Sequence, residues 1–266
     1  MNVRFLYQLA LRTMMRTLEY RATFFVYMTG AVIGPTISLL VWLTVSQQGL
    51  SLPYDREQCV TYYVLLATVS LLTASWVAEY GLADAIRLGK LSPLLLRPAP
   101  AILHYVGDNL GQKAVMLPLQ LPLVALVTVV FHEYLRLPAE PWSWLLFAVS
   151  LPMAATVAFL LDYLTGLLAF WIQDVKGIIE AKNLIGAFLA GQLVPLALFP
   201  DWSSGFLLLQ PFRYTLSFPL EVLIGGLSEA QIALGFAIQM GYCVLLWAAY
   251  HVAWRYGVRM YSVAGA

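Results

Sequence analysis

Long apolar runs alternate with short polar stretches along this 266-residue chain. A helix needs about 20 apolar residues to cross the roughly 30 Å hydrocarbon core of a bilayer. Six runs meet or approach that length, and they lie at about 22–45, 59–82, 106–131, 142–171, 184–199 and 230–254. The fifth run is short and contains Pro195. The pattern predicts an all-α integral membrane protein with six transmembrane helices, in a single domain over 1–266.

A further apolar segment, 206–226, is interrupted by charges and prolines. The interrupting residues are Pro211, Arg213, Pro219 and Glu221. Irregular backbone is tolerated at membrane depth only where it packs against protein or lines a water-filled cavity. We therefore predict a re-entrant hairpin of short helices on the outer side, within 200–227. An ion pair between Arg213 and Glu221 is expected to hold it together.

The basic residues indicate the orientation of the predicted helices. With the N-terminus in the cytoplasm, twelve of the fifteen Lys and Arg residues lie on the inner side, and Arg56, Arg136 and Arg213 lie outside. Cytoplasmic loops of membrane proteins carry an excess of such residues. If the segment 206–226 crossed the membrane, Arg255 and Arg259 would move outside. Six spans with both termini in the cytoplasm fit the charges better.

Polar residues near the helix starts refine this picture. Asp55 with Gln58, and Ser228 with Gln231, have the spacing of capping boxes before the second and last runs. At the N-terminus, polar residues recur every four positions, at Arg4, Gln8, Arg12 and Arg16. This spacing predicts an amphipathic helix over 1–21 that lies on the inner leaflet. The alternative is that these arginines only set the topology.

The composition agrees with a protein that is mostly in lipid. Hydrophobic residues make up 61% of the chain, charged residues 11%, and the mean hydropathy is +0.78. Soluble domains have about 25% charged residues. A soluble fold and a disordered chain are thus excluded, and the net charge of +1 gives no sign of a nucleic-acid partner. The two cysteines are too few for a disulfide framework.

Motifs for catalysis are incomplete in this chain. Gly89-Lys90 resembles the end of a phosphate-binding loop, but Asp84 and Leu91 stand where that motif needs glycine and a hydroxyl residue. His132-Glu133 lacks the second histidine of a zinc-protease helix. We therefore predict no catalytic, cofactor-binding or metal-binding residues, and no enzymatic activity of the chain itself.

Two acidic residues fall within predicted spans, where charges are costly and usually face a bundle interior or a cavity. Glu79 lies near the inner end of the second run, where its side chain can reach water. Asp162 lies deeper, in the fourth run. It can form a structural hydrogen bond with a Tyr or Thr hydroxyl, line a substrate path, or be protonated. Both residues are candidates for the translocation path or for a structural role.

Four stretches, in the same order along the chain, carry a resemblance to a known family. They are YRATFF at 20–25, IRLGKLSPLLLRP at 86–98, the Phe-Trp pair and polar loop at 170–182, and PFRYTLSFP at 211–219, which includes Tyr214. The chain resembles the permease subunits of type-2 ABC exporters, in the six-span group whose ATPase is a separate chain.

This resemblance implies a division of labour between subunits. Two permeases, identical or paralogous, form the translocation pathway in the lipid of a bacterial or archaeal plasma membrane. A cytosolic ATPase subunit binds ATP and Mg²⁺ and docks on the segment 83–104. The predicted coupling residues are Asp84, Arg87, Gly89, Lys90 and Arg97. We expect Leu91, Leu94, Leu95 and Leu96 to anchor this segment to the bundle.

Other functions are also compatible with parts of the sequence. A secondary transporter driven by an ion gradient would use buried acids, and it usually has an internal repeat, which is not visible here. A membrane-embedded enzyme would need a cluster of catalytic groups. A scaffold protein would need neither bent spans nor a re-entrant hairpin.

Overall fold

The computed structural model describes residues 3–19, 21–47, 54–138 and 140–261, with side chains for 7–17, 29–45, 54–138 and 140–261. These residues form helices and connecting turns, without a strand. The first helices are α1 (Val3–Glu19), α2 (Arg21–Gln47), α3 (Arg56–Thr73), α4 (Leu82–Arg87) and α5 (Ser92–Leu95). They are followed by α6 (Ala101–Val130), α7 (Pro141–Leu167), α8 (Lys176–Leu189), α9 (Ser204–Leu209), α10 (Ser217–Ile224) and α11 (Glu229–Met260).

Four helical stretches in this part of the chain are long and apolar enough to cross a membrane. They are Arg56–Arg87, Ala101–Val130, Pro141–Phe170 and Glu229–Met260. In α2, the apolar stretch Thr29–Val45 is shorter. Both predicted capping boxes are present, at Asp55 before α3 and at Ser228 before α11. The prediction of an all-helical, multi-pass membrane protein is confirmed.

The fifth apolar run differs from its prediction. We predicted a span over 184–199, but the helix α8 begins at Lys176 and ends at Leu189. Gly191 adopts a left-handed conformation with φ 79°, which ends the helix, and Pro195 follows in an irregular stretch. At 1.5 Å per residue, α8 is about 21 Å long, less than the bilayer core. These bounds for the fifth span were therefore wrong.

The second apolar run is bent in its C-terminal half. α3 ends at Thr73, and the chain continues through a π-helical turn, Val77–Gly81, into α4. The Asn109 side chain of α6 donates to the carbonyl of Ala74 at 3.1 Å. This bond satisfies a carbonyl that the bend frees from the helix ladder. Single π-helical turns frequently occur at functional sites.

The N-terminal helix α1 packs along α6. Its Leu9, Thr13 and Thr17 side chains are buried, whereas Gln8, Arg12 and Arg16 are exposed. Thr13 donates a hydrogen bond to Asp108 of α6. Residues 1, 2 and 20 of the predicted 1–21 element, and the Arg4 side chain, lie outside the described part. Thus α1 has a protein partner, which its own amphipathic pattern did not indicate.

The segment 200–227 contains short helices rather than one continuous helix. α9 and α10 are separated by a 3₁₀ turn at Pro211–Thr215, and Pro219 lies in the first part of α10. The predicted ion pair is present, with Arg213 Nη2 2.6 Å from Glu221 Oε2. Ser217 also donates to Glu221, at 2.7 Å. The hairpin therefore has its own buried polar core.

The hairpin is also hydrogen-bonded to the long helices. Gln239 of α11 is fully buried and donates from its side-chain nitrogen to the carbonyls of Ser150 in α7 and Tyr214 in the 3₁₀ turn. Gln210 donates to the carbonyl of Leu189, the last residue of α8, at 2.7 Å. Movements of the hairpin are thus linked to α7, α8 and α11.

Candidate functional site

A buried cluster of charged side chains joins three elements of the helix bundle. Glu79 comes from the π-helical turn, Asp162 from α7 and Lys182 from α8. Lys182 Nζ donates to Asp162 Oδ1 at 2.5 Å and forms an ion pair with Glu79. Asn183 donates to the other Glu79 oxygen at 3.2 Å. One ammonium group therefore contacts two carboxylates.

The local backbone explains why Glu79 is buried in this cluster. Gly166 of α7 lies against the π-helical turn, and a β-carbon added there would be 2.8 Å from the Glu79 carbonyl oxygen. The absent side chain lets α7 approach the turn closely, with Glu79 only 1% exposed. One interpretation of the sequence was that the Glu79 side chain reaches water at the membrane surface. In the structure it is buried in the cluster instead.

The partners of Asp162 also differ from the expected hydroxyl groups. Sequence reasoning considered Tyr and Thr hydroxyls, whereas the observed partner is the ammonium of Lys182. The sequence pattern placed Lys182 at the end of the polar loop 170–182 and gave Asn183 no role. Their role could have been inferred from the amphipathic start of α8, where the polar pair Lys182 and Asn183 follows an apolar stretch. A buried ion costs several kcal/mol unless it is paired, so this cluster fixes α7, α8 and the π-helical turn together.

The charged cluster forms one wall of a cavity of about 270 Å³. Its other walls come from α3, α8 and the hairpin, and they mix polar and aromatic groups. Representative lining residues are Ser70, Thr73, Trp76, Gln192, Phe212 and Thr215. The cavity thus extends from the ion cluster toward the hairpin. The cavity is lined in part by charged and polar groups, and ionisable groups inside a membrane protein mark ligand or ion pathways.

The predicted coupling segment forms an exposed turn between α4 and α6. Gly89, with φ 71°, turns the chain after α4, and Pro100 precedes the first residue of α6. Asp84 and Arg87 form an ion pair at 3.3 Å. Lys90 and Arg97 are exposed, and neither has an acidic partner within the 4.0 Å ion-pair limit in the described part of the chain. This turn therefore presents unpaired positive charge.

The leucines of this segment have two different roles. Leu91 is fully buried, and Leu94 packs against the same core cluster, as predicted. Leu96 is 87% exposed and Leu95 37% exposed, so the prediction that they anchor the segment to the bundle was wrong. The Tyr261 hydroxyl, just after α11, accepts from the Leu91 N–H at 3.2 Å. The turn is therefore held through Leu91, Leu94 and Tyr261, whereas Leu95 and Leu96 lie on its surface.

Comparison with known proteins agrees with these features. An all-helical chain with several long apolar helices and a buried charged cluster belongs to the class of multi-pass membrane proteins. A family model described as "ABC-2 family transporter protein" matches residues 32–265. The chain therefore belongs to the ABC-2 transporter family, and the resemblance to an ABC-2 type permease is confirmed. No curated protein and no solved structure shows significant similarity to the chain.

Proposed function

We propose that this chain is the permease subunit of an ATP-driven exporter, and that it works as a dimer coupled to a cytosolic ATPase. In this proposal, six membrane-crossing segments, with α8 and the irregular stretch after it as the fifth, place both termini in the cytoplasm. The hairpin at 200–227 lies on the outer side of a bacterial or archaeal plasma membrane. ATP and Mg²⁺ bind the partner ATPase. The family membership carries the proposal, and the surface of the coupling segment supports it.

The coupling segment has the surface chemistry of a docking site. Exposed apolar residues, Leu88 and Leu96, lie in the same turn as the exposed, unpaired Lys90 and Arg97 and beside Arg87, which is paired with Asp84. Apolar side chains on a membrane protein's water-facing turn gain free energy when a partner covers them, and unpaired charges give such contacts orientation. The Leu91–Tyr261 bond ties this turn to the end of α11, so a push on the turn would be transmitted to the bundle.

The polar cavity is the proposed segment of the translocation pathway. Its walls include α8, the hairpin and the Glu79–Asp162–Lys182 cluster, so a shift of α8 relative to α7 would change its shape. The alternative function is a secondary transporter, which the two buried acids favour. Transport that stops on ATP depletion but persists when ionophores collapse the ion gradients would support the exporter, and the reverse would support the alternative.

Charge reversal in the coupling segment tests the proposal. We expect the double variant Arg87→Glu, Arg97→Glu to lose the ATPase subunit that co-purifies with the tagged wild-type chain from its native membranes. Loss of at least 90% of the ATP hydrolysis in the purified preparation is the expected result, because two repulsive contacts replace two attractive ones. The measurement is phosphate release per amount of permease.

The control for this experiment is Arg136→Glu, a charge reversal at an exposed arginine at the opposite, α6–α7 end of the bundle. It should leave co-purification and hydrolysis unchanged. Normal ATP hydrolysis in the double variant, with wild-type amounts in the membrane, would contradict the assignment of the coupling segment.

A further inference from the structure

A second cavity lies between α6 and α7 and is larger and far less polar than the first. Its volume is about 600 Å³, and its walls are almost entirely apolar. We call it the lateral groove, and its representative lining residues are Leu103, Leu110, Leu117, Pro152, Phe159 and Trp247. Leu110 and Trp247 are about half exposed, at 51% and 49%, so the groove opens toward the lipid. A groove of this kind has the shape and polarity of an acyl-chain site.

One charged side chain, Lys113 of α6, lines the lateral groove. Within the described part of the chain, no carboxylate lies within ion-pair distance of its ammonium group. The acid that attracts it, Asp162, is already bound to Lys182. The acid on the preceding turn, Asp108, accepts from Thr13 and faces His104 at 3.6 Å. The groove therefore offers a positive charge that forms no direct ion pair within the described residues, and the acid that attracts it lies beyond ion-pair distance.

The position of Lys113 along α6 places this charge near a membrane surface. Lys113 is 17 residues before Val130, the end of the helix, which corresponds to about 26 Å at 1.5 Å per residue. Taking Val130 as the level of one boundary and the helix as upright in a hydrocarbon core about 30 Å thick, Lys113 comes about one turn from the opposite boundary. A lysine at this depth can extend its ammonium group to the headgroup level.

We propose that the lateral groove binds an anionic phospholipid from the leaflet at the N-terminal end of α6. Its acyl chain would lie between α6 and α7, and its headgroup phosphate would pair with Lys113. The unpaired cation argues for an anionic lipid, because a zwitterionic headgroup brings its own ammonium group close to Lys113. This proposal requires only that the chain lies in a membrane, and it is independent of any ATPase partner.

Native mass spectrometry with defined lipids tests this binding site. The purified protein is mixed with phosphatidylglycerol and phosphatidylcholine that carry identical acyl chains. We expect the wild type to retain phosphatidylglycerol preferentially, and Lys113→Gln to lower its retention about tenfold, which corresponds to about 1.4 kcal/mol. Lys113→Arg should keep the preference. Lys176→Gln, an exposed lysine at the start of α8, is the matched control and should bind as the wild type does.

A second variant leaves Lys113 in place and removes the space. Ala155 lines the groove in α7, and Ala155→Phe is expected to lower retention of both lipids. Phosphatidylglycerol with a diazirine on its acyl chain should label Leu110 or Trp247 in the wild type but not in Ala155→Phe. Equal retention of the two lipids by the wild type, or unchanged retention by a folded Lys113→Gln variant, would overturn the proposal. If the diazirine lipid failed to label Leu110 and Trp247 in the wild type because a second copy of the chain covered the groove, the proposal would also be overturned.

Discussion

Replacing Lys182 with methionine is expected to destabilise this protein more than any other single change at the charged cluster. The substitution leaves Glu79 and Asp162 buried beside each other without their shared cation. Removing one partner of a buried ion pair typically costs about 3–5 kcal/mol, because the remaining charge has neither water nor a counter-ion. We expect a clearly lower unfolding midpoint in detergent, measured by size-exclusion chromatography after heating.

Two controls separate the loss of charge pairing from the loss of a lysine. Lys176→Met changes an exposed lysine in the first turn of the same helix and should leave the midpoint unchanged. The triple variant Glu79→Gln, Asp162→Asn, Lys182→Met removes all three charges and should recover most of the lost stability, since neutral polar groups are cheaper to bury. If Lys182→Met and Lys176→Met unfold at the same temperature, the ion cluster does not hold the helices together.

The parts of the fold that the sequence predicted are those that local chemistry determines. The bilayer requires runs of a fixed minimum length, so four of the long apolar helices were found from hydropathy alone. The two capping boxes depend on residues three positions apart. Arg213 and Glu221 are close in sequence, within one hairpin. Each charge would be costly to bury without a partner, so the sequence predicts that they pair.

The charged cluster could not be predicted in the same way. Its members are distant in sequence, and their contact depends on the bend after α3 and on the π-helical turn. No proline or glycine lies between α3 and the π-helical turn, so one continuous helix was the natural expectation. The exposure of Leu95 and Leu96 likewise depends on how the turn at Gly89 directs the chain. The charged cluster and the exposure of these leucines are determined by tertiary packing. The periodicity of apolar residues along the chain does not predict such packing.

The position of α1 was only partly predictable from the sequence. The relevant residues are in its partner helix, α6. Gly107 and Gly111 of α6 are four residues apart, and small residues at this spacing allow close packing of helices in membranes. A β-carbon added at Gly107 would lie 2.6 Å from the Leu9 side chain. The amphipathic pattern of α1 predicted a helix, and the glycine pair in α6 indicated where such a helix packs.

The substitution Gly111→Ala tests whether α1 is packed on α6 or lies free on the lipid surface. The added methyl group would overlap the backbone carbonyl of Ala10, and the Ala10 carbonyl carbon and Cα would lie at 2.9 Å. Backbone atoms cannot rotate away as a side chain can, so α1 must shift as a whole. We expect a loss of about 1–3 kcal/mol, as for other overpacked contacts, together with faster hydrogen–deuterium exchange in α1.

Gly241→Ala provides the matched control, since it is the same change in another long helix, α11, where the new methyl group meets no atom within 4 Å. Alanine favours the helix over glycine, so this variant should gain up to about 1 kcal/mol and leave exchange in α1 unchanged. Opposite signs for the two variants would establish the α1–α6 contact. If both variants gained stability and exchanged alike in α1, the helix would instead rest on the lipid surface, as its amphipathic sequence alone predicts.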